Sequence, residues 1–265
     1  MNIAVCVKQV PDTADLRLDP QTHTLIREGV DAVLNPLDEF PLEAALRLRE
    51  ACGGRVTVLT MGPPQAVAVL RKALAMGADH AVLVTDRKFA GSDTWATSLV
   101  LARTLVELGP FDLILCGKQA IDGDTAQVGP GIAAHLGIPQ VTYVTRLWTG
   151  DGGTFRAERL LDTGTALLEI ILPVVLTVLK ETNEPRLPTL AGRLRALHAH
   201  IRHITAAELG IPDEELGLKG SPTRVVKISI PSLDRKQMVL KTNAQEAASG
   251  LLGELRRRHL LPAAE

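Results

Sequence analysis

The residues best suited to binding chemistry lie in a polar loop at residues 117–129, GKQAIDGDTAQVG. Gly123 and Gly129 lack a Cβ, so the backbone beside them can come close to a bulky anion. The loop precedes a segment with helical spacing, and the free amides and positive dipole of a helix N-terminus attract phosphate groups. The loop therefore predicts an anion-binding site.

Two carboxylates qualify this hypothesis. Asp122 and Asp124 would repel a phosphate, so we expect them to cap amides or to accept hydrogen bonds from ribose or base groups. Asp124 and Gln127 have the spacing of an N-cap and its N3 residue. Pro130 conflicts with a helix that begins at Thr125, so the helix either begins later or bends. On spacing alone, an ordinary loop and helix cap is the alternative.

The elements around the loop place it at a sheet edge. Residues 111–116 form a short apolar run typical of a buried strand, and apolar residues at helical spacing continue to Leu136. In α/β sheets, ligands bind at the carboxyl ends of the parallel strands, which is where this loop would lie.

The rest of the first 140 residues repeats this alternation. Asn35 and Pro36 have the chemistry of a helix start, with Asn35 as N-cap and Pro36 at the first helical position. Apolar strands are predicted at residues 3–7, 56–60, 81–84 and 111–116, with helices at 36–51, up to 76, and 93–108. Such alternation predicts an α/β fold with a parallel sheet covered by helices on both faces.

The later part of the chain has a different pattern. Residues 141–148, 154–161 and 167–179 predict antiparallel strands added at a sheet edge, and residues 16–18 and 25–26 predict a small hairpin. After Lys180 the pattern loosens until a final helix at residues 243–258. We expect a domain at residues 1–180 and an arm at residues 181–265 that packs on a partner subunit, rather than a disordered tail.

Composition narrows the class of protein. With 265 residues, 46% of them hydrophobic, the chain can bury a full core. A net charge of −1 and 3% aromatic residues give no case for nucleic-acid binding. Cys6, Cys52 and Cys116 contain no CxxC pair, which suggests reduced thiols in a cytoplasmic protein. Residues 166–179 are too short for a membrane span, which needs roughly 20 residues, so an integral membrane protein is not expected.

Several catalytic and metal-binding motifs are missing. Neither GxGxxG nor GxxxxGK[ST] occurs, which argues against an ordinary NAD-binding domain and against a phosphate-loop NTPase. His198, His200 and His203 have a spacing that a metal could use, but an alternating strand would put two of them on a solvent face, and no metal site is predicted. His80 and His135 lie in core-like patterns beside no nucleophile, so no catalytic side chain and no hydrolase activity are predicted.

Five segments together resemble the β subunit of electron-transfer flavoproteins. They are VKQVPD at residues 7–12, NPLDE at 35–39, ALAMGAD at 73–79, GKQAIDGDTAQVG at 117–129 and NEPRLPTL at 183–190. The resemblance implies a Rossmann-like domain of the adenine-nucleotide-binding class, paired with an α subunit that holds a flavin. It also implies electron transfer with an acyl-CoA dehydrogenase-type partner, and with a quinone, ferredoxin or flavodoxin acceptor.

The resemblance also implies which residues form the sites. A dehydrogenase-docking leucine corresponds to Leu190, in a loop bracketed by prolines and a glycine. The residues expected around the nucleotide are Cys6, Asn35, Asp38, Met61, Gly123, Asp124, Thr125, Ala126, Gln127, Val128, Gly129 and Ala133.

The family divides into two kinds. Some members hold AMP as a structural ligand in the β subunit, and others hold a second FAD that accepts a hydride from NADH and splits its electrons. The segment DGDTAQVGP resembles the second kind, which favours FAD over AMP. A rival class is a stand-alone ATP-binding sensor or adenylating enzyme on a similar fold, which the arm and NEPRLPTL disfavour.

Overall fold

A computed structural model describes residues 1–12, 17–18, 25–26, 32–150, 154–226, 238–240 and 242–261. The chain divides into two compact units, Met1–Val226 and Lys227–Glu265. The first unit contains the sheet, the buried core and the candidate site.

Nine strands of the first unit form one sheet, in the order β11-β10-β9-β12-β8-β1-β6-β7-β13. Two further pairs, β2 with β5 and β3 with β4, are antiparallel. The strands are β1 (Asn2–Cys6), β2 (Gln9–Pro11), β3 (Arg17–Leu18), β4 (Leu25–Ile26), β5 (Ala32–Leu34), β6 (Arg55–Met61), β7 (His80–Val84), β8 (Leu113–Gly117), β9 (Gln140–Thr149), β10 (Phe155–Leu161), β11 (Gly164–Ile170), β12 (Val174–Val178) and β13 (Ile201–Ile204).

Helices of the first unit cover the sheet on both faces. They are α1 (Glu39–Cys52), α2 (Val67–Met76), α3 (Thr94–Leu108), α4 (Val128–Leu136), α5 (Leu190–His198) and α6 (Ala206–Leu209). The second unit contains α7 (Ala244–Arg257). One hydrophobic cluster packs α1, α2 and α5 on one face of the sheet. A second cluster packs α3, α4 and α6 on the other. The predicted α/β fold is confirmed.

The strand order reverses beside β1. From β1 the chain moves to β6 and β7 on one side, then returns to place β8 on the other side, with all these neighbours parallel. At such a point the loops after two adjacent strands diverge to opposite faces and leave a crevice at their carboxyl ends. The crevice between β1 and β8 is therefore the place where this sheet can take a ligand.

The prediction of antiparallel strands after residue 140 is right only in part. β9, β10 and β11 are antiparallel to one another, but residues 167–179 contain two strands, and the second, β12, lies parallel between β8 and β9. All five residues of β12 are buried. A run that is buried on both faces is typical of a parallel strand, and the sequence pattern alone did not separate it from β11.

The chain after Lys180 is part of the first compact unit as far as Val226. β13 pairs with β7 at the sheet edge, and Ala196 of α5 lies in the first hydrophobic cluster. Arg186 holds this region against α1, because its Nε donates to Oε2 of the buried Glu43 at 2.7 Å. β13 has four residues and α5 has nine, and such short elements give weak periodic signals. The sequence therefore predicts the domain boundary at residue 180.

The structure also tests the predicted hairpin, the burial of His80, the final helix and the expectation that no helix spans a membrane. β3 and β4 form the predicted hairpin in their four described residues. His80 is exposed, not in the core. In the second unit, the amide of Glu246 donates to the N-cap side chain of Asn243 at 2.9 Å, as the predicted final helix requires. None of the helices in the described parts of the chain is long and apolar enough to cross a membrane.

Candidate nucleotide-binding site

The loop at residues 118–127 leads from β8 into α4. The helix begins at Val128, so Pro130 is its third residue and lies in the tolerated first turn. The predicted cap by Asp124 is wrong, because Gln127 is the N-cap residue and makes no side-chain capping bond. Asp124 and Ala126 instead have φ of 52° and 55°, which turns the loop sharply before the helix.

Asn35 anchors this loop. Its side chain is fully buried, its Nδ2 donates to the carbonyl of Gln119 at 3.0 Å, and its Oδ1 accepts from the amide of Ile121 at 3.3 Å. Asn35 occupies the predicted N-cap position of the turn Pro36–Asp38, with Pro36 at the first position, but its side chain makes no capping bond there. The side chain bonds to the loop because the carbonyl of Gln119 and the amide of Ile121 lie at part-buried positions and need hydrogen-bond partners.

The two carboxylates of the loop are bonded to protein partners. Lys8 Nζ donates to both oxygens of Asp122, at 2.7 and 2.8 Å. The side-chain amide of Gln119 donates to Asp124. These bonds satisfy the carboxylates locally and reduce the repulsion that they would exert on a phosphate.

Several amides of the same loop have no partner. Within the described residues around the loop, the backbone N–H groups of Gly123, Thr125 and Ala126 donate no hydrogen bond. The first turn of α4 adds free amides, because no residue of the helix lies four positions before them. The loop therefore presents a set of donors suited to phosphate oxygens.

Two cysteines lie beneath the loop. Cys6 and Cys116 are register partners on β1 and β8, and both are buried. The pKa of Cys116 is raised by its hydrogen bond with the Cys6 thiol and by burial, so the Cys116 thiol is protonated at neutral pH. Above them, a Cβ on Gly129 would lie 2.6 Å from Thr177 Cγ2 and 3.6 Å from Cys116 Cβ. The absence of a side chain at Gly129 therefore lets the start of α4 approach the sheet.

Asp38 joins the two strands that border the crevice. Its Oδ2 accepts the amide of Lys8 after β1 at 2.8 Å, and the amide of Gly117 at the end of β8 also donates to its carboxylate. Burial raises its pKa to about 7, although these hydrogen bonds act in the opposite direction. A Cβ on Gly117 would lie 2.3 Å from Asp38 Oδ1, so the carboxylate fits only beside glycine.

The remaining expected residues are distributed unevenly. Met61 ends β6, next to β1, and is partly buried. Val128 and Gly129 begin α4, whereas Ala133 is buried against the sheet in the second hydrophobic cluster. The structure brings Cys6, Asn35, Asp38, the loop and the start of α4 to one edge of the sheet. Nucleotide binding by these residues stays a prediction.

Leu190 lies on the other side of the sheet from α4. It is the first residue of α5, where Thr189 caps the helix, so it belongs to a helix and not to the predicted loop tip. Its side chain is 76% exposed. Leu194 and Leu197, at helical spacing from it, are also exposed, so α5 presents an apolar stripe.

Three residues of the site carry no local sequence signal: Lys8, Gln119 and Thr177. Lys8 and Asp122 are 114 positions apart, and a contact of that separation has no local pattern. Thr177 limits the space above the sheet through its methyl group, which only the packing of α4 shows.

The fold, with its mostly parallel sheet flanked by helices, defines an α/β protein of the Rossmann-like class. Residues 22–209 match the electron transfer flavoprotein domain. The chain is 50% identical to electron transfer flavoprotein subunit beta of Thermoanaerobacterium thermosaccharolyticum, over 98% of this chain and 100% of that protein. The chain belongs to the electron transfer flavoprotein family.

Two further relatives show the range of names in the family. Protein FixA of Bradyrhizobium diazoefficiens is 48% identical, over 95% of this chain and 90% of that protein. The caffeyl-CoA reductase-Etf complex subunit CarD of Acetobacterium woodii is 44% identical, over 98% of this chain and 100% of that protein. The resemblance found in the sequence motifs is thereby confirmed.

Proposed function

We propose that this chain is the β subunit of a heterodimeric electron-transfer flavoprotein and that it holds FAD in the crevice between β1 and β8. NADH is the proposed electron donor, and the flavin of the α subunit is the proposed next acceptor. The observation that carries this proposal is the set of unpaired loop amides at Gly123, Thr125 and Ala126, directly before the N-terminus of α4.

The pyrophosphate of a dinucleotide favours FAD over AMP at this position. Two adjacent phosphates need several donors in a small space, and the loop together with the first turn of α4 supplies them. The loop carboxylates are occupied by Lys8 and Gln119, so they do not oppose the phosphates fully. AMP, with one phosphate, needs fewer donors and is the alternative ligand.

The roles of the residues follow from their contacts. A bound FAD would supply the hydride and single-electron chemistry. Asn35 fixes the loop, Asp38 keeps the ends of β1 and β8 together, and Gly129 seats α4 on the sheet. Because the flavin carries the redox chemistry, no side-chain acid or base is required.

The apolar stripe on α5 supports a second part of the proposal, the docking of an acyl-CoA dehydrogenase-type partner. Leu190, Leu194 and Leu197 are 76%, 55% and 60% exposed, and exposed leucines at helical spacing fit an apolar groove. The relative CarD is named as a subunit of a reductase-Etf complex, which is consistent with such a partner. Ferredoxin or flavodoxin is the proposed final acceptor, and residues after Lys180 are proposed to contact the α subunit.

The decisive experiment counts the nucleotides released from the heterodimer purified without added cofactor. We expect two equivalents of FAD, no AMP, and bleaching of the flavin absorbance by NADH under anaerobic conditions. One equivalent each of FAD and AMP, with no reduction by NADH, would replace this proposal with a simpler electron carrier. A nucleotide-free, partnerless homodimer would instead support the ATP-sensor class.

A further inference from the structure

A cavity lies at the amino ends of the parallel strands, at the end of the sheet opposite the candidate nucleotide site. It has a volume of 390 Å³ and opens between the amino ends of β1, β6, β7 and β13 and the C-terminal end of α3. A cavity of this size is in the range of small-molecule sites. None of the residues discussed for the nucleotide site lines it.

The strand registers place basic side chains together along this edge. Arg55 is the register partner of Asn2, His80 of Thr57, and Arg202 of Val82. All of these residues line the cavity, and His200 precedes β13 at the same edge. Two arginines and two histidines thus reach one cavity from three neighbouring strands.

The charges of the cavity are only partly balanced. Arg202 pairs with Glu107 at 3.3 Å, and both side chains are about half exposed. Asp112, close to the cavity, accepts the backbone amide of Asn2 at 2.7 Å. In the part of the chain that the structure describes, the side chains of Arg55, His80 and His200 form no ion pair or hydrogen bond. These groups therefore leave donors available to an anion.

The other wall of the cavity is largely apolar. It consists of Leu108, the last residue of α3, and Gly109, Pro110 and Phe111 after it, and Val82 also lines the cavity. Such a wall suits the organic part of a ligand, whereas arginine suits its phosphate group, because the guanidinium fork matches phosphate oxygens.

We propose that this cavity binds a small phosphate ester, with the phosphate between Arg55 and Arg202 and the organic group against Pro110 and Phe111. The site is separate from the nucleotide crevice, and the proposal does not depend on the identity of the cofactor there. The alternative role of the basic groups is to complement the negative end of the α3 dipole. That role predicts no ligand.

The test uses NMR of the full chain, with the imidazole resonances of His80 and His200 as local reporters. Inorganic phosphate and glycerol 3-phosphate are the two probes, added separately. We expect both to shift these resonances in a saturable manner and the ester to bind more tightly. Arg55→Gln should weaken the binding of both probes about tenfold, since it removes a charge-assisted hydrogen bond. Phe111→Ala should weaken only the ester.

The matched control is Arg103→Gln, which removes the same charge from the exposed face of α3 outside the cavity. It should leave both affinities unchanged. Absence of saturable shifts with either probe would overturn the proposal. Equal weakening by Arg55→Gln and Arg103→Gln would also overturn it, because the effect would then be one of net charge.

Discussion

Asp38 combines two opposing influences at one residue. Its side chain is 5% exposed, and burial raises its pKa to about 7, while the amides of Lys8 and Gly117 stabilise its ionised form. The same carboxyl holds together the two strands that border the proposed nucleotide crevice. Its protonation therefore links the local structure of the crevice to pH.

The first prediction concerns this pH dependence. The folded pKa lies above the unfolded value of 3.8, so the folded chain binds more protons between these values, and stability falls as pH rises from about 4 to about 7. Between pH 5 and pH 7.5 this one group should lower the free energy of unfolding by about 2–3 kcal/mol. Asp38→Asn should remove that contribution, as measured by urea unfolding at the two pH values.

Asp213→Asn provides the control, because Asp213 is exposed and pairs with Lys88 at the surface. Its pH profile should match that of the unmodified chain. If Asp38→Asn retains the full difference between pH 5 and pH 7.5, Asp38 is not the titrating group.

The second prediction concerns Leu190 on the exposed stripe of α5. Leu190→Ala should raise the KM for the proposed acyl-CoA dehydrogenase-type partner, corresponding to about 1–3 kcal/mol of docking free energy. Because the side chain is 76% exposed, the thermal midpoint should hardly change. Val106→Ala removes a 67% exposed side chain from α3 and should affect neither quantity. A lower thermal midpoint with unchanged KM would show a structural role instead.

At the scale of elements, α4 is held close to the sheet by Gly129. A Cβ there would meet the methyl group of Thr177 on β12 at 2.6 Å, a separation that requires movement of the helix. The position of the helix N-terminus, and with it the proposed phosphate donors, therefore depends on one missing side chain and one methyl group.

The third prediction tests this contact with a pair of substitutions. Gly129→Ala should lower the free energy of unfolding by about 1–3 kcal/mol through overpacking and reduce the nucleotide content. Thr177→Ser removes the opposing methyl and keeps the hydroxyl that accepts the amide of Tyr143. In the double variant both losses should be largely recovered. Recovery would make the effects of the two single substitutions non-additive. If the double variant recovers neither stability nor nucleotide content, the added methyl group at residue 129 conflicts with a group other than Thr177.

The strands and helices differ in how well the sequence predicts them. The strands and helices before residue 140 follow regular hydrophobic patterns, and their order implies the parallel sheet and the crevice. The position of β12 between β8 and β9 depends on long-range pairing, for which a single sequence has no signal. Asp124 is not the predicted cap, and Asn35 holds the predicted N-cap position but bonds the loop through its side chain. The reason is related, since local spacing suggests caps while tertiary contacts decide the partners of the side chains.

At the scale of the whole molecule, the chain consists of a large unit and a small one. The first unit contains both hydrophobic clusters and every strand of the nine-stranded sheet. In the second unit, α7 buries none of its residues, and Leu251 and Leu252 are 52% and 46% exposed. An amphipathic helix with an unburied apolar side is suited to a groove on another protein.

The final prediction separates two possible boundaries. A chain that ends at Val226 keeps β13, α5 and the Arg186 ion pair with Glu43, so it should unfold cooperatively with an unchanged thermal midpoint. If the exposed leucines of α7 make the contact that is proposed for the residues after Lys180, this chain should also lose most of its co-purification with a tagged α subunit. A chain that ends at Lys180 removes the edge strand and leaves the buried carboxylate of Glu43 without Arg186. Arg47 still pairs with Glu43, but the unpaired edge of β7 that this truncation exposes should produce aggregation. Full co-purification of the chain ending at Val226 would assign the α-subunit contact to the first unit. A folded chain ending at Lys180 would support the domain boundary that the sequence predicts at residue 180.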